Sequence, residues 1–108
     1  MDDNVTLVMV AVPPEKAGPM ARALVEKRLA ACVQALPIAS TYRWEGAIER
    51  ADEVLLLIKS RVDLFTTLEA EVLSLHPYEV PEIIAVTADR VHDAYLGWLM
   101  AETHQQPK

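Results

Sequence analysis

Apolar positions along this chain follow two rhythms in alternation. Val5 to Val12 is an almost unbroken apolar, β-branched run stopped by Pro13-Pro14, as expected of a strand with both faces covered. Between Glu15 and Ala31 the period lengthens. Ala21, Leu24, Val25 and Leu29 share one face at helical spacing, with Arg22, Glu26 and Lys27 elsewhere. Pro19 leaves two starts open for that helix: near Glu15 with the proline closing the first turn, or at Pro19 itself. Cys32 to Glu45 and Ala47 to Arg61 then read as two long strands joined at Gly46, whose permissive backbone suits a hairpin turn. Pro37 implies a bulge or an edge position in the first of them.

The remaining elements follow in the same way. Asp63 is a good N-cap for a helix whose stripe is Leu64, Leu68, Val72 and Leu75, and Pro77 ends that helix by pushing His76 out of helical geometry. Glu82 to Ala88 is a fourth strand. Val91 to Glu102 is a closing helix with Val91, Tyr95, Trp98 and Leu99 on its inner side. The order predicts an α+β, ferredoxin-like fold, βαββαβ plus a C-terminal helix, with an antiparallel sheet and helices on one face. One domain spans residues 1–108, with the tail 103–108 loose.

The two central strands exceed the usual strand length of about 5–6 residues by a factor of about two. A small subunit cannot cover such a ribbon. Its outer half, carrying Tyr42, Trp44 and Ile48, is therefore expected to pack on a neighbouring copy. A composition with 52% hydrophobic residues in 108 points the same way, since small domains leave much surface exposed. A net charge of −6 argues against nucleic acid and anionic membrane surfaces. No apolar run approaches the roughly 18 residues that span a bilayer. The single cysteine fits a reducing compartment, so the expectation is a cytoplasmic protein.

Candidate chemistry is sparse. No C-x-x-C, paired histidines, G-x-S-x-G or glycine-rich phosphate loop occurs, so no enzyme is visible by motif. The stretch "HPYEVPEIIAV" offers His76 as the best single metal ligand, with Glu79 and Glu82 as helpers. Its structural alternative is a polar residue at a helix C-terminus, followed by a rigid connector into a strand. Cys32 is either a small packed residue or a soft ligand for Cu(I). Lys59 and Arg61, near the end of a long strand, are either solvated charge or a cradle for an anion in a cleft between subunits.

Four segments in order, "LVEKRLAACVQALP", "YRWEGAIERADEVLLLIKSR", "HPYEVPEII" and "YLGWL", resemble the CutA family, the divalent-cation tolerance proteins. Ala31, Cys32, Val33, Tyr42, Trp44, Gly46, Glu53, Lys59, His76, Pro77, Tyr78, Pro81 and Glu82 stand where the family pattern puts them. The resemblance implies a trimer of PII-like architecture, with hairpins paired across subunits, and a non-enzymatic role in tolerance of copper and other divalent ions. Val10 stands where some bacterial members carry a cysteine, and Leu75 where some have a first histidine before His76. A metal site at His76 would therefore be weak. The alternative is a sensing module holding a small anionic ligand between subunits, lined by Cys32, Lys59, Arg61, Tyr78 and Glu82.

Overall fold

The computed structural model describes residues 4–103. Its elements are β1 (Val5–Val12), α1 (Pro14–Glu26), β2 (Cys32–Trp44), β3 (Ala47–Arg61), α2 (Phe65–Leu75), β4 (Ile83–Thr87) and α3 (Asp93–Glu102). The strands form one antiparallel sheet in the order β2-β3-β1-β4, the ferredoxin-like arrangement. Among the described residues, no helix is long and apolar enough to cross a membrane.

The β2–β3 pairing runs without a break from Cys32–Lys59 to Trp44–Ala47, so Pro37 sits on an edge strand and makes no bulge. Glu45 and Gly46 close the hairpin with φ of 49° and 84°. Two positive φ values define the type I′ turn that matches the twist of two strands, and glycine adopts this conformation without steric cost. β1 pairs with β3 only as far as Val12–Val54. Beyond that point the hairpin is a free two-stranded ribbon, and residues 41–50 are all exposed.

Alternation along the strands sorts the sheet into two faces. Val8, Val10, Val12, Leu56 and Ile58 point to the face covered by Ala17, Met20 and Leu24 of α1 and by Leu68 and Val72 of α2. Ser60 reaches the same interior, where its hydroxyl donates to the Leu29 carbonyl at 2.6 Å. Leu99 of α3 packs elsewhere, against Val5 and Ala31 in a second small cluster. Val5 has the strand parity of Leu7 and Met9, so only the two crossover helices cover the main core face.

Several local expectations change. α1 begins at Pro14, and its buried residues are Ala17, Met20 and Leu24; Val25 points outward at 42% exposure. The helix stops at Glu26 because Arg28 turns left-handed at φ 58°, and the Leu29 and Ala30 amides then bond back to the Leu24 carbonyl. Asp63 caps nothing: it lies in a 3-10 turn and its carboxylate pairs with Arg61 at 2.7 Å. Leu75, Tyr95 and Trp98 are exposed. Thr103 is fully buried, its hydroxyl donating to the Leu99 carbonyl at 2.7 Å, so it is not part of a loose tail; the rest of that tail lies outside the described residues.

Candidate functional site

His76 is the first residue past α2, released from the helix by Pro77 into extended geometry at φ −81° and ψ 132°. Its amide still donates to the Val72 carbonyl at 2.8 Å. The side chain turns inward and is 8% exposed. Nε2 lies 2.8 Å from the carbonyl of Ala11, just past the last β1–β4 pair, Val10–Ile83. Nδ1 lies 3.2 Å from the Tyr78 amide. An amide can only donate, so Nδ1 accepts and Nε2–H donates. Both ring nitrogens are thereby committed to backbone. Through these two contacts the ring clamps the start of the 76–82 connector to the central strand.

Tyr78 continues this chain of bonds. Its phenol donates to Glu53 Oε2 at 2.7 Å, and its ring lies 4.7 Å from that of His76. Burial pushes the phenol up to about 12, with the hydrogen bond to Glu53 and that residue's charge adding to the rise. Glu53 itself is 6% exposed. It borders the apolar run Val54 to Ile58 on β3 and has the parity of Ala11, Leu55 and Leu57, the face that α1 and α2 leave bare.

Over this face the 77–82 connector and the free ribbon enclose a crevice of about 680 Å³, whose walls include Tyr42, Trp44, Glu53, Tyr78, Glu79 and Glu82. Tyr42 and Trp44 reach it because they share the parity of Glu53 across the ribbon. Ile48, paired opposite Arg43, points to the ribbon's other side.

The residues expected to line one ligand cleft separate into two groups in a single chain. Tyr78 and Glu82 border the crevice. Cys32 and Lys59 form a cross-strand pair six residues further along β3 from Glu53, a distance of about 20 Å at ordinary strand rise. There the Lys59 ammonium donates to the Gln34 side-chain carbonyl, and Arg61 makes a two-point contact with Asp63 at 3.0 and 2.7 Å. Cys32 is a free thiol beside Tyr95, whose phenol is raised by burial with the thiol's charge and hydrogen bond contributing. Among the described residues, no three His, Cys, Asp or Glu side chains converge on a point that a metal ion would occupy.

Two features escaped the sequence reading. Glu53 passed as one family position among many, although an acid bordering a five-residue apolar strand is the signal that marks it. The second is the bare face of the sheet itself. Met9, Leu55 and Leu57 are half-buried there, while Leu36, Ile84 and Val86 remain exposed.

The strand order, the two crossover helices and the protruding hairpin define an α+β, ferredoxin-like protein of the class whose solved members include PII-like chains. Residues 6–102 match the family model described as CutA1 divalent ion tolerance protein, and the chain belongs to that family. The divalent-cation tolerance protein CutA of Thermus thermophilus is 44% identical over 99 residues, which is 90% of this chain and 96% of that one. Protein CutA of Homo sapiens is 46% identical over 102 residues, covering 93% of this chain but 57% of the human protein. Thus the chain spans nearly all of the bacterial relative and little more than half of the human one. Among solved structures, the PII-like protein CutA from a Nostoc species in apo form superposes with a TM-score of 0.88 at 33% identity, over 92% of this chain and 97% of that one.

Proposed function

We propose that this chain works as a homotrimeric, non-enzymatic divalent-cation tolerance protein that holds divalent metal ions, copper among them, weakly. The observation that carries the assembly is the bare apolar face. Leu36, Ile84 and Val86 are close to half exposed on it, and the ribbon residues Tyr42 and Trp44 extend it. A contiguous apolar surface of this kind is what a neighbouring copy covers. Membership of the divalent ion tolerance family supports the ligand class. The acids at the crevice, Glu53, Glu79 and Glu82, are the oxygen donors nearest the family motif, and His76 is not available to join them. With no three-donor set among the described residues, affinity stays low unless a neighbouring copy contributes ligands. The free thiol of Cys32 suits the reducing cytoplasm.

Sedimentation equilibrium reads the assembly directly: a single-copy mass at micromolar concentration removes the trimer. Copper calorimetry on the wild type, His76→Ala and Glu53→Gln reads the metal. Copper affinity is expected to be unchanged in His76→Ala and reduced in Glu53→Gln; the opposite pattern restores the histidine as ligand.

The second reading, a PII-like sensing module with a small anionic ligand between subunits, keeps one supporting observation. Lys59, Gln34 and Cys32 sit together as a polar patch on the bare face, next to Leu7 and Leu57. A thermal-shift screen of nucleotides and organic anions tests it, because a bound ligand raises stability by mass action. An anion shift that Lys59→Met abolishes would favour this reading over the first.

A further inference from the structure

The apolar interior of this chain is split in two. The main core gathers side chains from β1, β3, α1 and α2, together with Leu29 and Ala30. The second cluster holds Val5, Ala31 and Leu99, with Ala88, Val91, Leu96 and Met100 packed against it; among the described residues the two clusters share no member. α3 belongs wholly to the second, and Leu99 is the one residue of the helix that is buried. Its length of 10 residues falls short of the roughly 12–15 that a helix needs to persist in water. Its N-cap residue, His92, makes no side-chain capping bond, and no basic residue stands in its last turn. α3 therefore depends on a few tertiary contacts that the main core does not share.

Those contacts are weak at one end. Arg28 donates to the Glu102 backbone carbonyl at 3.3 Å and to its carboxylate at 3.4 Å, long and solvent-exposed bonds of small net worth. To make them Arg28 stands at φ 58°, a left-handed conformation that costs a residue with a side chain. The Thr103 hydroxyl closes back on the Leu99 carbonyl and so holds nothing outside the same unit. At the other end the Ala88 amide donates to the Val5 carbonyl at 2.9 Å, the last backbone tie before the helix. β1, by contrast, is bonded along both edges, to β3 and to β4. Beneath α3 lie Ala31 and the free thiol of Cys32, which hydrogen-bonds the Tyr95 phenol.

We propose that α3 is a strap: it opens by local unfolding while the main core stays closed, hinged after Ala88 and latched by Arg28 to Glu102, and its opening bares Val5, Ala31 and the Cys32 thiol. Leu99 is the pin, since its removal from the small cluster leaves the helix no buried side chain of its own. Access to the thiol end of the sheet is then set by the strap equilibrium and not by the stability of the whole fold. The inference rests on the packing of one helix and is separate from both the copper and the anion readings.

The test uses the full-length protein in its native assembly. Native-state hydrogen exchange follows the amides of 96–102 against those of β1 and β3, and a maleimide follows the Cys32 thiol. The α3 amides are expected to exchange about a hundredfold faster or more than those of β1, which open only with the whole fold. Leu99→Ala is expected to speed α3 exchange and Cys32 labelling together by about thirtyfold or more, with β1 protection unchanged. Arg28→Gly is expected to speed both by about two- to fivefold, the worth of an exposed ion pair. Its α1 amides should be protected as well as before or better, because glycine accepts the left-handed conformation without strain. Wild-type α3 amides as protected as those of β1 overturn the proposal; that is the result if a neighbouring copy clamps the helix. A Leu99→Ala variant that loses β1 and α3 protection in parallel overturns it too, since the two clusters then open as one. Should Leu99→Ala fail to fold, Arg28→Gly decides: unchanged α3 exchange rejects the latch and the strap with it. Cys32 labelling that neither variant accelerates shows a thiol reached without opening, and likewise ends the proposal.

Discussion

On the face of the sheet covered by α1 and α2, Val8, Val10, Leu56 and Ile58 have no exposed surface; on the opposite face Leu36, Ile84 and Val86 stay between 48% and 49% exposed. The residues on the two sides are of the same kind, and along β3 they alternate within the single run Val54 to Ile58. What differs is the covering. Two helices cover one face of the four-stranded sheet, and on the other α3 covers only the end around Val5 and Ala31. The core face holds the fold together. The bare face holds everything that invites a partner: apolar surface, the Lys59 patch, and the crevice with Glu53.

Substitutions on adjacent β3 positions break the comparison most directly. Leu56→Ala opens a cavity under both helices and is expected to destabilise the fold by about 2–5 kcal/mol in urea denaturation. Leu57→Lys, one residue away on the bare face, is expected to leave circular dichroism unchanged. It should cost the assembly about 2 kcal/mol or more by placing a charge in an apolar contact, read as a shift towards single copies in sedimentation. A Leu57→Lys variant that remains fully assembled would show that this face is not an interface.

Smaller effects test the clamp on the bare side. His76→Ala removes both ring contacts and leaves the buried Ala11 carbonyl without its donor, for an expected loss of about 1–3 kcal/mol. Copper affinity should not change, so the variant separates a structural from a ligating histidine. Tyr78 gives the smallest effect, visible at alkaline pH. Its folded pKa of about 12 lies above the ordinary phenol value, so the folded state holds this proton more tightly than the unfolded chain. The stability linked to it is fully present below about pH 10 and is lost as pH rises towards 12. Ultraviolet titration of tyrosinate should lose its component near pH 12 in Tyr78→Phe. In Glu53→Gln that component should move to lower pH, because the carboxylate's bond and charge no longer hold the proton.

Local rules carried much of the architecture. β1 lies at Val5–Val12 because prolines stop it there, and the hairpin turns at Gly46 because that position requires positive φ. The Pro77 break that frees His76 from α2 was equally legible. Where a choice between faces was needed, spacing was weaker. Val25, Leu75, Tyr95 and Trp98 fit apolar stripes yet are exposed, since periodicity says which residues share a face and not whether anything covers it. Asp63 fits the cap position but found Arg61 closer, and a local ion pair won over the helix amide.

The parts of the candidate site were legible in the sequence. The anion reading grouped Tyr78 and Glu82 with Cys32, Lys59 and Arg61 in a cleft between subunits; within one chain the first two border the crevice, while Cys32 and Lys59 pair near the far end of β3. His76 was singled out in the sequence as the best single metal ligand. Its role depends on an acceptor at Ala11, 65 positions earlier, which no local pattern contains.

By itself the sequence determined the elements, their order and the overlong ribbon, because dihedral preference and hydrophobic period act over a few neighbouring residues. Only the tertiary structure decided which sheet face stays bare, that both His76 nitrogens are occupied, and that Glu53 lies buried at the wall of an acidic, aromatic crevice. Those outcomes depend on contacts between residues distant in the chain, where burial and hydrogen bonding are settled by whatever the fold brings alongside.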